Sequence, residues 1–204
     1  MDYKESLTYL YSLGHEVLAA KYQLRNIRTL LERLRHPERS YRSVVVAGTN
    51  GKGSVAAMIE AIVRSSKTRA GLFTSPHLVR IEERIKVAGR EISEGSFASL
   101  ATQVRQAGEE LVSEGALPAI PTFFEQITAI AFCYFRDSGV ELAILEVGLG
   151  GRLDATNSVD AIVSVVNAIE LDHQSVLGDT ISEIAVEKAA VIKAGGRAVI
   201  GRQR

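Results

Sequence analysis

Cysteine and tryptophan are nearly missing from this sequence. The 204 residues include one cysteine and no tryptophan. A disulfide within the chain is therefore excluded, and a reducing compartment is favoured. The single cysteine, Cys133, stands among the apolar residues of the stretch 130–135. We expect it to be a buried packing residue and not a nucleophile.

An excess of charge and long apolar runs are also missing. Twenty-four lysines and arginines balance 24 aspartates and glutamates, so no overall field draws the molecule to nucleic acid or to an anionic membrane. No apolar run reaches the roughly 18 residues of a membrane span, and the charged N-terminal segment does not resemble a signal peptide. We therefore expect a cytoplasmic monomer with small-molecule partners, in which any anion site is local.

The most informative stretch is 44–55, VVVAGTNGKGSV. Its valines predict a buried strand, and its three glycines allow backbone N–H groups to approach an anion. Lys52 would bring a positive charge to phosphates, and Ser54 would bring a hydroxyl at the start of the next helix. The candidate nucleotide-binding residues are Gly48, Thr49, Asn50, Gly51, Lys52, Gly53 and Ser54.

The strict phosphate-loop pattern is not met in this stretch. Val46 stands where that pattern requires glycine, and Gly53 separates Lys52 from the hydroxyl of Ser54. The alternative is a glycine-rich turn with a surface lysine. The order of strand, glycines, lysine, hydroxyl and helix favours a phosphate site.

Strand and helix patterns alternate along the rest of the chain. Further strands are predicted at 70–74, 141–147, 161–166 and 198–201, and helices at 2–35, 93–114, 122–136 and 180–192. This alternation predicts one α/β domain, residues 1–204, with a mostly parallel sheet flanked by helices. Glu146 ends the most apolar strand and should face the phosphate loop. It is either a Mg²⁺ ligand or a buried structural glutamate.

Thr122 and Glu125 form a capping box, as do Thr180 and Glu183. Phe123 and Phe124 stand in the first turn after Thr122, and from the residues alone we expect them to pack in the core.

The stretch 79–90 alternates apolar and charged residues. This pattern predicts either a hairpin or a mobile flap. On composition alone the stretch could contact the substrate or could be a solvated β-ribbon.

Four motifs occur in a fixed order: GTNGKGS at 48–54, SPHL at 75–78, LEVGLGGRLDATN at 145–157 and EKAAVIKAG at 187–195. Together they resemble the folate branch of the Mur ligase superfamily, the folylpolyglutamate and dihydrofolate synthases. The resemblance extends over residues 21–201. It implies a P-loop NTPase-like Mur ligase central domain that binds ATP. Members of the family are longer than this sequence. The resemblance therefore also implies that these residues correspond to the N-terminal portion of such an enzyme and that the C-terminal ligase domain is absent.

The resemblance implies an ATP-dependent amide ligase. ATP would phosphorylate the carboxylate of dihydropteroate or of a folate, and the amine of L-glutamate would attack the acyl phosphate, with release of ADP and phosphate. The residues do not separate the two acceptors. Three alternatives stay open: a cell-wall amino-acid ligase of the same superfamily, a P-loop phosphotransferase, and a non-catalytic nucleotide-binding module.

The resemblance also implies roles for particular residues. The catalytic residues would be Lys52, His173 and Lys188. Two Mg²⁺ ions would be held by Ser75, Glu146, His173 and Lys188, the last as a carbamate formed with CO₂. Without the resemblance, His173 would be a loop histidine and Lys188 a surface charge. The region Lys21–Ile27 would lie near the pterin. Phe123 and Phe124 would belong to the pterin pocket, where an aromatic face could stack on a flat heterocycle. The substrate-binding residues would be Ser75, Pro76, His77, Thr122, Phe123, Phe124, Glu125, Leu153, Asp154 and Ala155.

Overall fold

A single seven-stranded sheet organises the molecule. The computed structural model describes residues 1–14 and 24–203. The strand order is β4-β3-β2-β5-β1-β6-β7, and the predicted α/β class is confirmed. The strands are β1 (Arg42–Ala47), β2 (Ala70–Phe73), β3 (Ile85–Val87), β4 (Arg90–Glu91), β5 (Leu142–Glu146), β6 (Val163–Val166) and β7 (Arg197–Ile200).

The centre of the sheet is parallel. Strand β1 pairs in parallel with both β5 and β6, so that Val46 lies opposite Glu146 on one side and Val165 on the other. Strand β2 pairs in parallel with β5. The segments that follow these strands therefore leave the sheet at the same edge, where α/β proteins bind ligands.

Helices cover both faces of the sheet. The helices are α1 (Tyr3–Ser12), α2 (Leu24–Arg33), α3 (Lys52–Ser65), α4 (Glu94–Ser113), α5 (Phe123–Asp137), α6 (Gln174–Leu177) and α7 (Ile181–Ala189). Side chains of α1, α2, α4 and α5 pack on one face in the main core, whereas α3 packs on the other against Val44, Val46 and Ile144. Alternate residues of the central strands β1 and β5 supply the two cores. None of them, within the described ranges, is long and apolar enough to cross a membrane.

Local sequence signals set most helix boundaries. Both predicted capping boxes form, at the starts of α5 and α7. Helix α7 ends at Ala189, short of the predicted Ile192. The N–H of Ile192 donates to the carbonyl oxygen of Ala189, a three-residue spacing that tightens the chain into a turn.

Cys133 is fully buried in α5, as expected. Burial raises the pKa of its thiol to about 12, so the thiol stays protonated and is a poor nucleophile. The packing role is therefore supported by both position and protonation state.

The stretch 79–90 is part of the folded sheet. Residues 81–84 form a 3₁₀ turn, and the hairpin of β3 and β4 follows as the outer part of the sheet. The hairpin prediction holds for the second half of the stretch. The mobile-flap and solvated-ribbon predictions are wrong, because Ile81, Ile85 and Val87 are buried in the main core.

Candidate functional site

The glycine-rich segment after β1 forms a tight loop at the start of α3. Gly51 precedes α3 in the left-handed region, with a φ of 74°. Gly48 has a φ of 142°, and a Cβ added there would lie 2.9 Å from the Cβ of Asn167. Both positions thus favour glycine. In the first turn of α3 the Gly53 N–H donates to Glu146 and the Val55 N–H to the Gly51 carbonyl oxygen, which leaves the N–H groups of Lys52 and Ser54 for an anion at this loop.

The segment after β6 holds this loop in place. The Thr49 N–H donates to the Ala168 carbonyl oxygen at 2.8 Å, and the Thr49 hydroxyl donates to the Glu170 carbonyl oxygen at 3.1 Å. The Asn167 side-chain amide donates to the Asn50 carbonyl oxygen at 2.7 Å. No local pattern in the sequence indicated that these residues support the loop. The one indication is their position after β6, a strand that is parallel to β1.

Glu146 lies beside the phosphate loop at the end of β5. It is 6% exposed, and its Oε2 accepts a hydrogen bond from the Ser75 N–H at 2.9 Å. A Cβ added at Gly53 would lie 3.2 Å from the same oxygen. Burial raises the pKa of Glu146, whereas the Ser75 N–H and the Lys52 ammonium lower it. The expected position facing the loop is observed, and the role as metal ligand stays a prediction.

Two lysines lie at the loop. The Lys52 ammonium donates to the Thr49 carbonyl oxygen at 3.1 Å, so it folds back onto its own loop. Lys188 is 2% exposed, and its Nζ donates to the Gly48 carbonyl oxygen at 3.0 Å. The interpretation of Lys188 as a surface charge is therefore wrong. Burial, together with the nearby Lys52 charge, lowers the pKa of Lys188 to about 8.

The residues expected to bind metal form an incomplete set of ligands. Within residues 1–14 and 24–203, no group of three or more His, Cys, Asp or Glu side chains could hold a metal ion. The His173 side chain is 49% exposed, and its Nε2 lies 3.5 Å from Oδ1 of Asp172. Glu146 fits a Mg²⁺ that takes most of its ligands from phosphates and water. Lys188, as an amine that donates to a carbonyl, does not act as a ligand in this form.

A mostly apolar cavity of about 110 Å³ lies between α2, the start of α5, the segment after β5, and helices α6 and α7. Six of the predicted substrate-binding residues line it, namely Thr122, Phe124, Glu125, Leu153, Asp154 and Ala155. Glu187 also lines the cavity, and the next residue, Lys188, reaches the phosphate loop. The remaining lining residues are Asn26, Ile27, Leu149, Gly150, Gly151, Val176 and Leu177.

Asp154 shapes the wall of this cavity through its own loop. Its Oδ2 accepts the N–H groups of Gly148 at 3.0 Å and Leu149 at 2.9 Å. Its Oδ1 accepts both the N–H and the hydroxyl of Thr156. Burial raises the pKa of Asp154, and these hydrogen bonds oppose that rise. Both oxygens are thus engaged, so the first role of Asp154 is to fix the loop that carries Leu153 and Ala155.

Phe123, although next to Phe124, lies outside the cavity. Its ring stacks on Tyr11 with centroids 5.8 Å apart, and the Arg84 guanidinium lies 5.3 Å from its centroid. Nε of Arg84 donates to Nδ1 of His77 at 2.8 Å. Desolvation and the Arg84 charge lower the pKa of His77. The predicted substrate-binding residues therefore lie in different places. Six of them line the cavity, Phe123 and His77 belong to the cluster with Tyr11 and Arg84, and Ser75 contacts Glu146.

Comparisons with known proteins identify relatives of this chain. No family model matches the chain. Folylpolyglutamate synthase from Lacticaseibacillus casei is 40% identical over 201 residues, which is 98% of this chain and 46% of that protein. Dihydrofolate synthase/folylpolyglutamate synthase from Bacillus subtilis is 42% identical over 183 residues, 89% of this chain and 42% of that protein. The chain is a homologue of the folylpolyglutamate and dihydrofolate synthases.

The solved structures extend this result to the fold. A complex of FPGS with AMPPCP and folate superposes with a TM-score of 0.94 at 40% identity, covering 100% of this chain and 49% of the other. The homologue described here therefore spans less than half the length of the two relatives and about half of the solved chain. The predicted resemblance to the folate branch is confirmed.

Part of one expected substrate region of this folate-ligase homologue is not covered. Lys21, Tyr22 and Gln23, of the region expected near the pterin, lie outside the described residues. Asn26 and Ile27 from the same region line the cavity. Val176 and Leu177 also line it, although nothing in their local sequence indicated a site. They reach the cavity because α6 follows β6 at the binding edge of the sheet.

Proposed function

We propose that this chain binds ATP and a folate-type acceptor for an ATP-dependent ligase that joins L-glutamate to folate or dihydropteroate. The names of its relatives and the solved complex with AMPPCP and folate support the proposal. The observation that carries it lies in α7. Glu187 lines the cavity, and the adjacent Lys188 bonds to Gly48 of the phosphate loop. An acceptor in the cavity would thus lie next to the nucleotide phosphates.

The chemical difficulty of this reaction is the approach of two anions. The acceptor carboxylate attacks the γ-phosphoryl group of ATP, the bond from the γ-phosphorus to the bridging oxygen breaks, and an acyl phosphate and ADP form. The amine of glutamate then attacks the acyl carbon, forms the amide and expels phosphate. Lys52, on leaving the Thr49 carbonyl, would contact the phosphates together with the N–H groups at the start of α3. Mg²⁺ would neutralise further phosphate charge, and Glu146 and Ser75 would hold it.

Lys188 suits a second role in this proposal. An amine with a pKa of about 8 is partly neutral near neutral pH, and a neutral amine can add CO₂. A bond forms between Nζ and the carbon, one proton is released, and the lysine becomes an anionic carbamate. A carbamate offers oxygen ligands where the ammonium offers only donors. The carbamate of Lys188 and the imidazole of His173 would together be ligands of a second Mg²⁺.

We expect [¹³C]bicarbonate to produce a carbamate signal from Lys188 in ¹³C NMR spectra. The signal should grow as the pH rises through about 8, because the reactive amine is neutral above its pKa. The terminal amine also forms a carbamate, so the informative signal is the one lost in Lys188→Gln. Lys67→Gln, at an exposed lysine, is the control and should keep it. Identical spectra for the wild-type chain and Lys188→Gln would rule out the modification.

The proposed function is tested by isothermal titration of the 204-residue chain. We expect binding of AMPPCP with Mg²⁺, and of folate or dihydropteroate to the same chain. Failure of both to bind would contradict the proposal. An assay of glutamate-dependent ADP release then asks whether this chain alone completes the reaction. A phosphotransferase would transfer phosphate without forming an amide, and a cell-wall ligase would bind a uridine-nucleotide substrate.

A further inference from the structure

A large groove on the far side of α2 is not used by the proposed function. Its volume is about 870 Å³, and its lining includes Arg25 and Arg28 of α2 and Arg42 of β1. A second groove of about 610 Å³ adjoins it and includes Lys193 and Arg197. The two share Arg42, Asp160 and Ile162. The two grooves therefore adjoin each other, and together they are here called the arginine groove.

The arginine groove lies away from the phosphate loop. Arg42 is the first residue of β1, whereas the phosphate loop follows Ala47, the last residue of that strand. At about 3.3 Å per residue, β1 separates the two by roughly 17 Å. The groove is therefore at the opposite edge of the sheet from the nucleotide site.

Apart from Arg39, which pairs with Glu38, the cations that line this groove form no ion pair within the described residues. Within the part of the chain that the structure describes, Arg25, Arg28, Arg42 and Arg197 form no ion pair, and the Lys193 ammonium bonds only to the neutral oxygens of Asn157. Burial and the charge of Arg28 lower the pKa of Lys193, and Asp160 opposes this. Elsewhere on the surface arginines do find carboxylates: Arg33 with Glu110 and Glu114, Arg105 with Glu109, and Arg152 with Glu187.

The acidic residues of the groove leave this cationic character in place. The Glu38 carboxylate accepts a hydrogen bond from His36 and forms an ion pair with Arg39, so its negative charge is already paired. Glu32 and Asp160 are the other lining carboxylates. They face the five cations Arg25, Arg28, Arg42, Lys193 and Arg197. A ligand that brings several negative charges would relieve the repulsion among these cations.

We propose that the arginine groove binds a small oligoanion, a flexible molecule with several carboxylate or phosphate groups. Guanidinium groups match both kinds of anion through paired hydrogen bonds. The four unpaired arginines extend over two adjoining grooves, which suits several linked anions better than one ion. Tyr41, an aromatic residue of the lining, is only 9% exposed and offers no open face for base stacking, which single-stranded nucleic acids use.

The test is isothermal titration of the full 204-residue chain at low ionic strength with two separate probes, tri-γ-glutamate and tripolyphosphate. We expect at least one probe to bind, and the tighter of the two identifies the anion. Arg28→Gln/Arg42→Gln should weaken that binding at least about tenfold, since hydrogen bonds between charged groups are being removed. The charge-matched control Lys67→Gln/Arg90→Gln changes two exposed residues outside the groove and should keep the affinity.

Several results would overturn the proposal. They are binding of neither probe, equal losses in both double variants, or a single-stranded RNA oligonucleotide that binds more tightly through the same arginines. If Arg28→Gln/Arg42→Gln does not fold, Arg25→Gln/Arg197→Gln tests the same point. AMPPCP affinity, measured in each variant, should not change. Failure of the groove proposal is thereby distinguished from failure of the nucleotide site.

Discussion

Replacing Lys52 by alanine is expected to lower ATP-dependent turnover of a complete enzyme by about 10²–10³-fold, as removal of one preorganised donor commonly does. In the 204-residue chain, AMPPCP affinity should fall by about tenfold or more, because a hydrogen bond to a charged phosphate is lost. Stability should change little. Within the described residues, the hydrogen bond of the Lys52 ammonium goes to the Thr49 carbonyl oxygen of its own loop.

Isothermal titration and thermal unfolding separate these two effects. Lys67→Ala, at an exposed lysine on the turn after α3, is a matched control and should bind AMPPCP as the wild-type chain does. The assigned role of Lys52 would be abandoned if Lys52→Ala kept wild-type affinity for AMPPCP. A large drop in the unfolding temperature would instead give Lys52 a structural role.

The features that sequence analysis predicted correctly depend on neighbouring residues. A run of valines predicts a buried strand wherever it lies, and β1 forms over Val44–Val46. The capping boxes join residues three positions apart, and both are present. The spacing of glycines around Lys52 likewise predicts a loop with the backbone geometry that is found. In each case the physical cause is local.

The features that it missed depend on contacts between distant segments. Without the family resemblance, Lys188 would be interpreted as a surface charge, because helical periodicity cannot show that its neighbour is Gly48, 140 positions away in sequence. The hydrogen bonds of Asn167 and Glu170 to the phosphate loop depend on β6 lying beside β1. The solvated β-ribbon was one interpretation of the stretch 79–90, because the alternating pattern does not show that Ile81 and Ile85 pack in the main core.

Phe124→Ala is expected to lower the free energy of unfolding by about 3–5 kcal/mol, the usual cost of removing a large buried aromatic side chain. Phe124 is 7% exposed and lies against Phe73, with ring centroids 5.9 Å apart. It also lines the cavity, so folate binding should weaken as well. Urea denaturation measures the first effect, and titration with folate measures the second.

Phe123→Ala is the matched control, because it removes the same side chain from the adjacent position. Its ring lies in the partly exposed cluster with Tyr11 and Arg84, so we expect a loss of about 1–2 kcal/mol. Equal losses in the two variants would show that Phe124 has no special place in the core. Phe124→Leu then separates packing from recognition. It should recover most of the stability, but folate affinity should stay reduced, because leucine fills the core without offering an aromatic face to a flat heterocycle.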